Sequence, residues 1–112
     1  MEFDRFTISL LVSGANPNTD ELQDAHLAHL ASLHDAGALL AAGPLSDPAG
    51  ELRGLSVLAV DLDEARRLKE DDEAVRAGVF SVRVLEWQVP AGAMSFSPTF
   101  FPRSMKDVLG PN

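Results

Sequence analysis

The chain has no cysteine among its 112 residues. This absence excludes disulfide bonds, thiolate metal sites and cysteine nucleophiles. No apolar run approaches the ~18–20 residues that a helix needs to cross a bilayer, so the sequence predicts no membrane span. The N-terminal segment MEFDRFTISLLVSGANP lacks the basic start and the small-residue cleavage site of a signal peptide, and we therefore expect a cytoplasmic location.

Basic residues are scarce: 9 Lys and Arg stand against 17 Asp and Glu, for a net charge of −8. They are also scattered along the chain rather than clustered. Binding to nucleic acid depends on clustered cations that displace counterions from the phosphates. The sequence therefore predicts no nucleic-acid partner.

The length of 112 residues and the hydrophobic content of 46% are those of one globular domain. In residues 3–13, apolar Phe6, Ile8 and Leu10 alternate with polar neighbours, which is the pattern of a strand in a half-buried sheet. Turn and capping residues delimit the other elements. They are strands over 38–44, over 53–61 and after Gly78, and helices over about 20–36 and 61–72.

This order of elements, β-α-β-β-α-β, is that of the ferredoxin-like α+β sandwich. Two helices cover only one face of a four-stranded sheet. The strand over 53–61 is apolar on both faces, and the fourth strand carries large side chains on both faces. A second subunit's sheet is the simplest cover for the other face, so we expect a homodimer whose sheets pack face to face.

A C-terminal tail, residues 91–112, is interrupted by prolines but retains apolar side chains such as Phe96 and Phe101. This composition is not that of a disordered terminus. We expect the tail to pack on the domain or on the partner subunit, where it could close one end of a cavity.

All three histidines lie in one predicted helix, within AHLAHLASLHDAG (25–37). A helical wheel places His26 and His34 in the apolar stripe and His29 at its edge. A metal site would need a third ligand, and the sequence has no HExxH pattern or second histidine cluster, so we predict none. His26 lies mid-stripe, where its ring needs a buried partner; it is either a satisfied core histidine or a catalytic one.

Two segments resemble the YCII family of small dimeric α+β-barrel proteins. In DAHLAHLASLHDAGALLAAGP (24–44) a helix with "HL" near its start leads into a strand ending in "GP". The second segment is DDEAVRAGVFSVRVLEW (71–87). The resemblance extends over roughly residues 3–90, which implies a YCII-like domain over 1–90 with the tail outside it.

In that family a His–Asp pair marks the candidate active site, and the resemblance assigns these roles to His26 and Asp72. The family has Asp-Pro where this chain has Asp72-Glu73, and Asp71 could take the role if the register slips by one. Such a carboxylate would fix the tautomer of the imidazole and make it a stronger base. Ser46 and Arg83 are weaker candidates for binding a substrate, and Arg53 could also neutralise an anionic one.

The resemblance implies a cofactor-independent lyase, isomerase or hydrolase that moves a proton on a small, aromatic-derived molecule. A related dehydrochlorinase and the similarly folded muconolactone isomerases carry out chemistry of this kind. A non-catalytic ligand-binding or regulatory module, and a structural dimer with a vestigial cleft, are the alternatives. Fold-level analogy does not decide among the three.

Overall fold

The computed structural model describes residues 1–110, which fold as a four-stranded antiparallel sheet with helices on one face. The strands are β1 (Phe3–Ser13), β2 (Leu39–Pro44), β3 (Leu52–Leu58) and β4 (Phe80–Pro90). The helices are α1 (Asp20–Asp35), α2 (Leu62–Glu70), α3 (Glu73–Arg76) and α4 (Met105–Leu109). The sheet order is β2-β3-β1-β4, and the predicted ferredoxin-like α+β fold is confirmed.

The central strand β1 has its polar side chains toward the helices, opposite to what a simple alternation of apolar and polar residues suggests. Thr7, Ser9 and Leu11 are buried beneath the helices, whereas Ile8 and Leu10 are half-buried on the other face. The pattern alone does not identify the covered face, because both faces of this strand are at least partly shielded.

Two apolar clusters hold the helix layer on the sheet. One lies near the start of α2 and the other near α3. Their buried members are Leu33, Leu39, Leu58 and Ala65 in the first, and Leu11, Ala74, Val79 and Phe80 in the second. The register places Ser9 opposite Ser56, between the levels of Leu58 and Leu11. The centre of this interface is therefore polar.

Helix α1 begins and ends with the signals expected from the sequence. The Thr19 hydroxyl accepts a hydrogen bond from the Leu22 amide at 3.1 Å, which satisfies one of the free N–H groups of the first turn. Gly37 follows the helix with φ 81°, a backbone conformation that few other residues adopt. These caps fix where the helix begins and ends.

The predicted helix over 61–72 is present as α2, but it ends at Glu70, and a separate short helix, α3, follows from Glu73. Asp61 caps α2 by accepting from the Glu64 amide at 2.9 Å. Asp72 caps α3 in the same way, and a new cap within a charged run ends the preceding helix. The interruption between α2 and α3 therefore places the Asp72 side chain at the N-terminus of α3.

The tail runs from the uncovered face of the sheet to the helix side. Phe96 packs edge-on against Phe6 at 5.4 Å between ring centroids. Further along, Arg103 pairs with Asp35 at 2.6 Å, and α4 lies beside α1. Within residues 1–110, no helix combines the length and the apolar character required to span a bilayer.

Candidate active site

A cavity of about 480 Å³ lies between α1, the sheet and α4. Its volume is within the range of sites that bind small organic molecules. Apolar side chains from α1 and α4 form much of its wall. The polar residues that line it are Asn18, Gln23, His26, Arg53 and Ser56.

His26 and Asp72 meet beside this cavity although 46 positions separate them in the sequence. The His26 Nδ1 atom lies 2.5 Å from the Asp72 Oδ2 atom. His26 is 7% exposed and Asp72 is fully buried, so water does not compete for this hydrogen bond. The structure thus brings together the two residues that the resemblance pairs.

The helix cap orients the Asp72 carboxylate. Its Oδ1 atom accepts from the Ala74 amide at 2.9 Å, which leaves Oδ2 for His26. Glu73 occupies the first position of α3, where the family has proline. A capped helix therefore sets the direction of this side chain without the proline. Asp71 is exposed and forms an ion pair with Arg76, so it is not the partner of His26.

The charge state of the pair follows from its hydrogen bonds. Burial acts to raise the pKa of the Asp72 carboxyl, but the hydrogen bond from His26, the charge of that ring when it is protonated, and the Ala74 amide outweigh burial and hold that pKa below its usual value. An ionised carboxylate only accepts, so Nδ1 of His26 carries the proton and donates it.

The other ring nitrogen of His26, Nε2, is free for chemistry. It has no hydrogen-bond partner in the described part of the chain. Among residues 1–110, the one sealed side-chain polar atom without a partner is Ser9 Oγ, so Nε2 remains accessible. Since His26 lines the cavity, Nε2 can exchange a proton with a molecule bound there.

The other two histidines make structural contacts, His29 with α2 and His34 with the tail. His29 Nε2 donates to the Leu68 carbonyl at 2.8 Å and so joins α1 to α2. The His34 ring stacks on Phe101, with centroids 4.1 Å apart and an angle of 13° between the planes. No group of three or more His, Asp or Glu residues in residues 1–110 is arranged to hold a metal ion.

Two of the weaker sequence candidates lie away from the cavity. Ser46 is exposed in the turn after β2, where the neighbouring Asp47 accepts from the Leu52 amide at 2.8 Å. Arg83 pairs in register with Leu10 on the uncovered face of the sheet, because side chains alternate along β4. Arg53 does line the cavity. The predicted binding roles of Ser46 and Arg83 are therefore not supported.

Sequence reasoning missed a buried polar group next to the pair. Lys69 is completely buried and donates from Nζ to the Ser56 hydroxyl at 3.0 Å. The signal was the spacing of four residues between Ala65 and Lys69, which places both on one helix face. Lys69 lies within the charged segment DLDEARRLKEDD (61–72), and the sequence did not single it out.

The tail completes the cavity wall. Phe101, Pro102, Met105 and Val108 contribute to the lining. The Met105 amide donates to the Asp24 carboxylate at 2.8 Å, which fastens the start of α4 to α1. The shape of the cavity therefore depends on a segment beyond the four-stranded core.

The family model of the YCII-related domain matches residues 9–88 of this chain. The chain belongs to the YCII-related family. The matched region begins within β1 and ends within β4, so it includes both His26 and Asp72. The tail lies outside it.

A solved structure of similar fold is 5-chloro-2-hydroxyhydroquinone dehydrochlorinase (TftG) from Burkholderia phenoliruptrix, in complex with 2,5-dihydroxybenzoquinone. The TM-score is 0.52 at 22% sequence identity, over 75% of this chain and 93% of the dehydrochlorinase. At this identity the likeness establishes the fold. Among curated proteins, none matches this chain.

Proposed function

We propose that this YCII-related protein is an enzyme that moves a proton on a small organic molecule, with His26 as general base and acid and Asp72 as its partner. The carrying observation is the buried 2.5 Å contact between the two side chains at the wall of a cavity. The reaction class is a lyase, isomerase or hydrolase step that these residues carry out without a cofactor.

In the proposed step, Nε2 of neutral His26 removes a proton from an O–H or C–H bond of the bound molecule. The imidazolium that forms is stabilised by the Asp72 carboxylate across the Nδ1 hydrogen bond. His26 then returns the proton at another atom in an isomerisation, or the substrate anion expels a leaving group in an elimination. General acid–base catalysis of this kind contributes roughly 10²–10⁴-fold to a rate.

The cavity favours a substrate that is mainly apolar with a few polar groups. Its walls include Leu27, Leu30 and Phe80, and its volume suits a molecule the size of a substituted ring. The similarly folded dehydrochlorinase is described with a dihydroxybenzoquinone bound. These observations support a small hydroxylated, aromatic-derived substrate for this chain.

The test is a turnover assay with 5-chloro-2-hydroxyhydroquinone and a panel of hydroxylated aromatics and lactones, followed by ultraviolet absorbance and chloride release. We expect His26→Ala to lower kcat by about 10²–10⁴-fold. His29→Gln is the matched control, because glutamine can still donate to the Leu68 carbonyl. It should keep wild-type turnover.

The alternative is a ligand-binding module without catalysis. It would be favoured if 2,5-dihydroxybenzoquinone binds to the wild type but no member of the panel is turned over. It would be favoured further if the His26→Ala variant binds that ligand with unchanged affinity. Equal kcat values for the wild type and His26→Ala would contradict the enzymatic proposal.

We also propose that two copies of the chain pair through the face of the sheet that the helices leave uncovered. Leu85 and Trp87 on this face are 38% and 37% exposed, beside half-buried Ile8 and Leu10. Arg83 lies on the same face, paired in register with Leu10. Without a carboxylate there, two chains of net charge −8 can approach each other.

A further inference from the structure

A lysine lies at the centre of the helix–sheet interface. Lys69 projects from α2 with no exposed surface, so its ammonium group has lost its hydration. Burying a charge in this way is costly unless other groups compensate. In the described part of the chain, its hydrogen-bond partner is the Ser56 hydroxyl, at 3.0 Å. An interior position in α2 that could hold an apolar residue is thus occupied by a cation.

The Lys69–Ser56 contact determines what the serine hydroxyl can do. An ammonium group donates hydrogen bonds and accepts none. It therefore occupies a lone pair of Ser56 Oγ and leaves the hydroxyl hydrogen free. Ser9, the neighbour across the strands, has an Oγ atom without a hydrogen-bond partner within residues 1–110, so it does not accept this hydrogen. Ser56 lines the cavity, so an occupant of the cavity can receive this hydrogen bond.

The charges around the cavity also favour an occupant that accepts a hydrogen bond from Ser56. The groups at the Lys69 end of the cavity are His26 from α1, Ser56 from β3, Lys69 from α2 and Asp72 before α3. Arg53 is a further cationic residue in the cavity lining. Lys69 and ionised Asp72 balance each other while His26 is neutral. When His26 takes a proton from a ligand, an imidazolium and a ligand anion appear together and the balance persists. Without Lys69, Asp72 would repel that anion.

We propose that Ser56, held and polarised by Lys69, binds an anionic oxygen of the ligand, so that the cavity prefers a phenolate, enolate or carboxylate to the corresponding neutral molecule. Ser56 is the contacting residue, and Lys69 is a positioning residue that acts through it. This inference rests on the proposed function only in placing the ligand in the same cavity, and it does not require turnover.

The probe is 4-nitrophenol, because the visible absorbance of its phenolate reports directly the protonation state of the bound molecule. We expect the wild type to bind the phenolate at least ten-fold more tightly than the neutral phenol, which lowers the pKa of the bound probe by one unit or more. Lys69→Met, of similar length and without charge, should remove that preference. Ser56→Ala, which deletes the contacting hydroxyl, should remove it as well.

Lys106→Met is the matched control, since Lys106 is exposed on α4 and its loss should leave the phenolate preference intact. Circular dichroism will establish that Lys69→Met is folded. If that variant does not fold, Ser56→Ala and a comparison of benzoate with uncharged benzamide decide the question in its place. Equal affinity of the wild type for charged and neutral probes, or no binding of either, overturns the proposal.

The result is separable from that of the turnover assay. A phenolate preference that depends on Lys69, in a protein that turns over nothing, supports the anion site and counts against the enzymatic proposal. Turnover that depends on His26, with no effect of Lys69→Met on the bound probe, supports the enzyme and overturns the anion site.

Discussion

The two faces of the sheet carry opposite chemistry. Beneath the helices, the middle of the sheet carries buried polar side chains such as Ser9 and Ser56. On the uncovered face, Leu85 and Trp87 are more than a third exposed. A small domain normally places its apolar surface inward. The polar centre between the two apolar clusters supports the proposed ligand site beneath the helices, and the exposed apolar side chains support the proposed contact with a second copy.

Among the substitutions beneath the helices, Asp72→Asn should have the largest effect on turnover. Asparagine can still cap α3 by accepting from the Ala74 amide. It cannot stabilise a protonated His26 as a carboxylate does, so we expect kcat to fall by about 10²–10⁴-fold. The measurement is turnover of whichever substrate the panel identifies, with circular dichroism to establish that the variant is folded.

Asp71→Asn is the matched control for that variant. Asp71 precedes Asp72 in the sequence, but it is exposed and pairs with Arg76. The control should keep its activity. A comparable loss of kcat in both variants would show that the acidic run matters through its overall charge, and the specific role of Asp72 would be rejected.

The fold could be predicted from the sequence because capping residues, turn residues and hydrophobic periodicity are local signals. Thr19 and Gly37 delimit α1 where the sequence suggests, and the order of elements then restricts the topology. It did not identify which face of β1 the helices cover. Alternation assigns residues to two faces, but only the packing of other elements decides which face is buried.

Part of the candidate site was predicted and part was missed, because its members come together only through packing. His26 stood out as a polar residue in an apolar stripe, and the family resemblance supplied Asp72. Lys69 was missed because it lies in a strongly charged segment, where a buried lysine cannot be distinguished from solvated neighbours by pattern alone. Its burial depends on Ser56, 13 positions earlier in the sequence. Such a contact is visible only after the chain has folded.

The stability of Lys69→Met measures how much the buried cation beneath the helices lowers the free energy of unfolding. Burial lowers the pKa of Lys69 from 10.5 to about 8, with the charge of Asp72 opposing the shift. Below pH 8 both the folded and the unfolded chain bind this proton, so the full cost of burial is present. Between pH 8 and 10.5 the unfolded chain alone keeps the proton, so wild-type stability rises with pH.

Lys69→Met should therefore unfold at higher denaturant concentration than the wild type at neutral pH, by at most about 3 kcal/mol in the free energy of unfolding. The advantage should shrink as the pH rises through the range from 8 to 10.5. Chemical denaturation over this pH range is the measurement, with Lys106→Met as control. A destabilised variant, or an advantage independent of pH, would contradict the account of Lys69 as a costly functional cation.

The uncovered face is tested by Leu85→Glu. A carboxylate in a face-to-face apolar interface would lose its hydration and meet its own copy. We expect the wild type to sediment as a dimer and the variant to sediment as a monomer. Leu62→Glu is a close control, because Leu62 has the same exposure of 38% but lies at the start of α2. A wild type that is monomeric at micromolar concentration would refute the dimer.

The tail, which reaches both faces, is tested by Phe101→Ala. The Phe101 ring stacks on His34 and lines the cavity, so its removal should cost about 1 kcal/mol of stability and widen the cavity. We expect weaker binding of small ligands and relatively better binding of bulkier ones. Phe100→Ala is the matched control, since that ring is 72% exposed. If both variants bind a series of ligands of increasing size alike, the tail does not set the selectivity of the cavity, and α1 and the sheet alone determine which molecules fit.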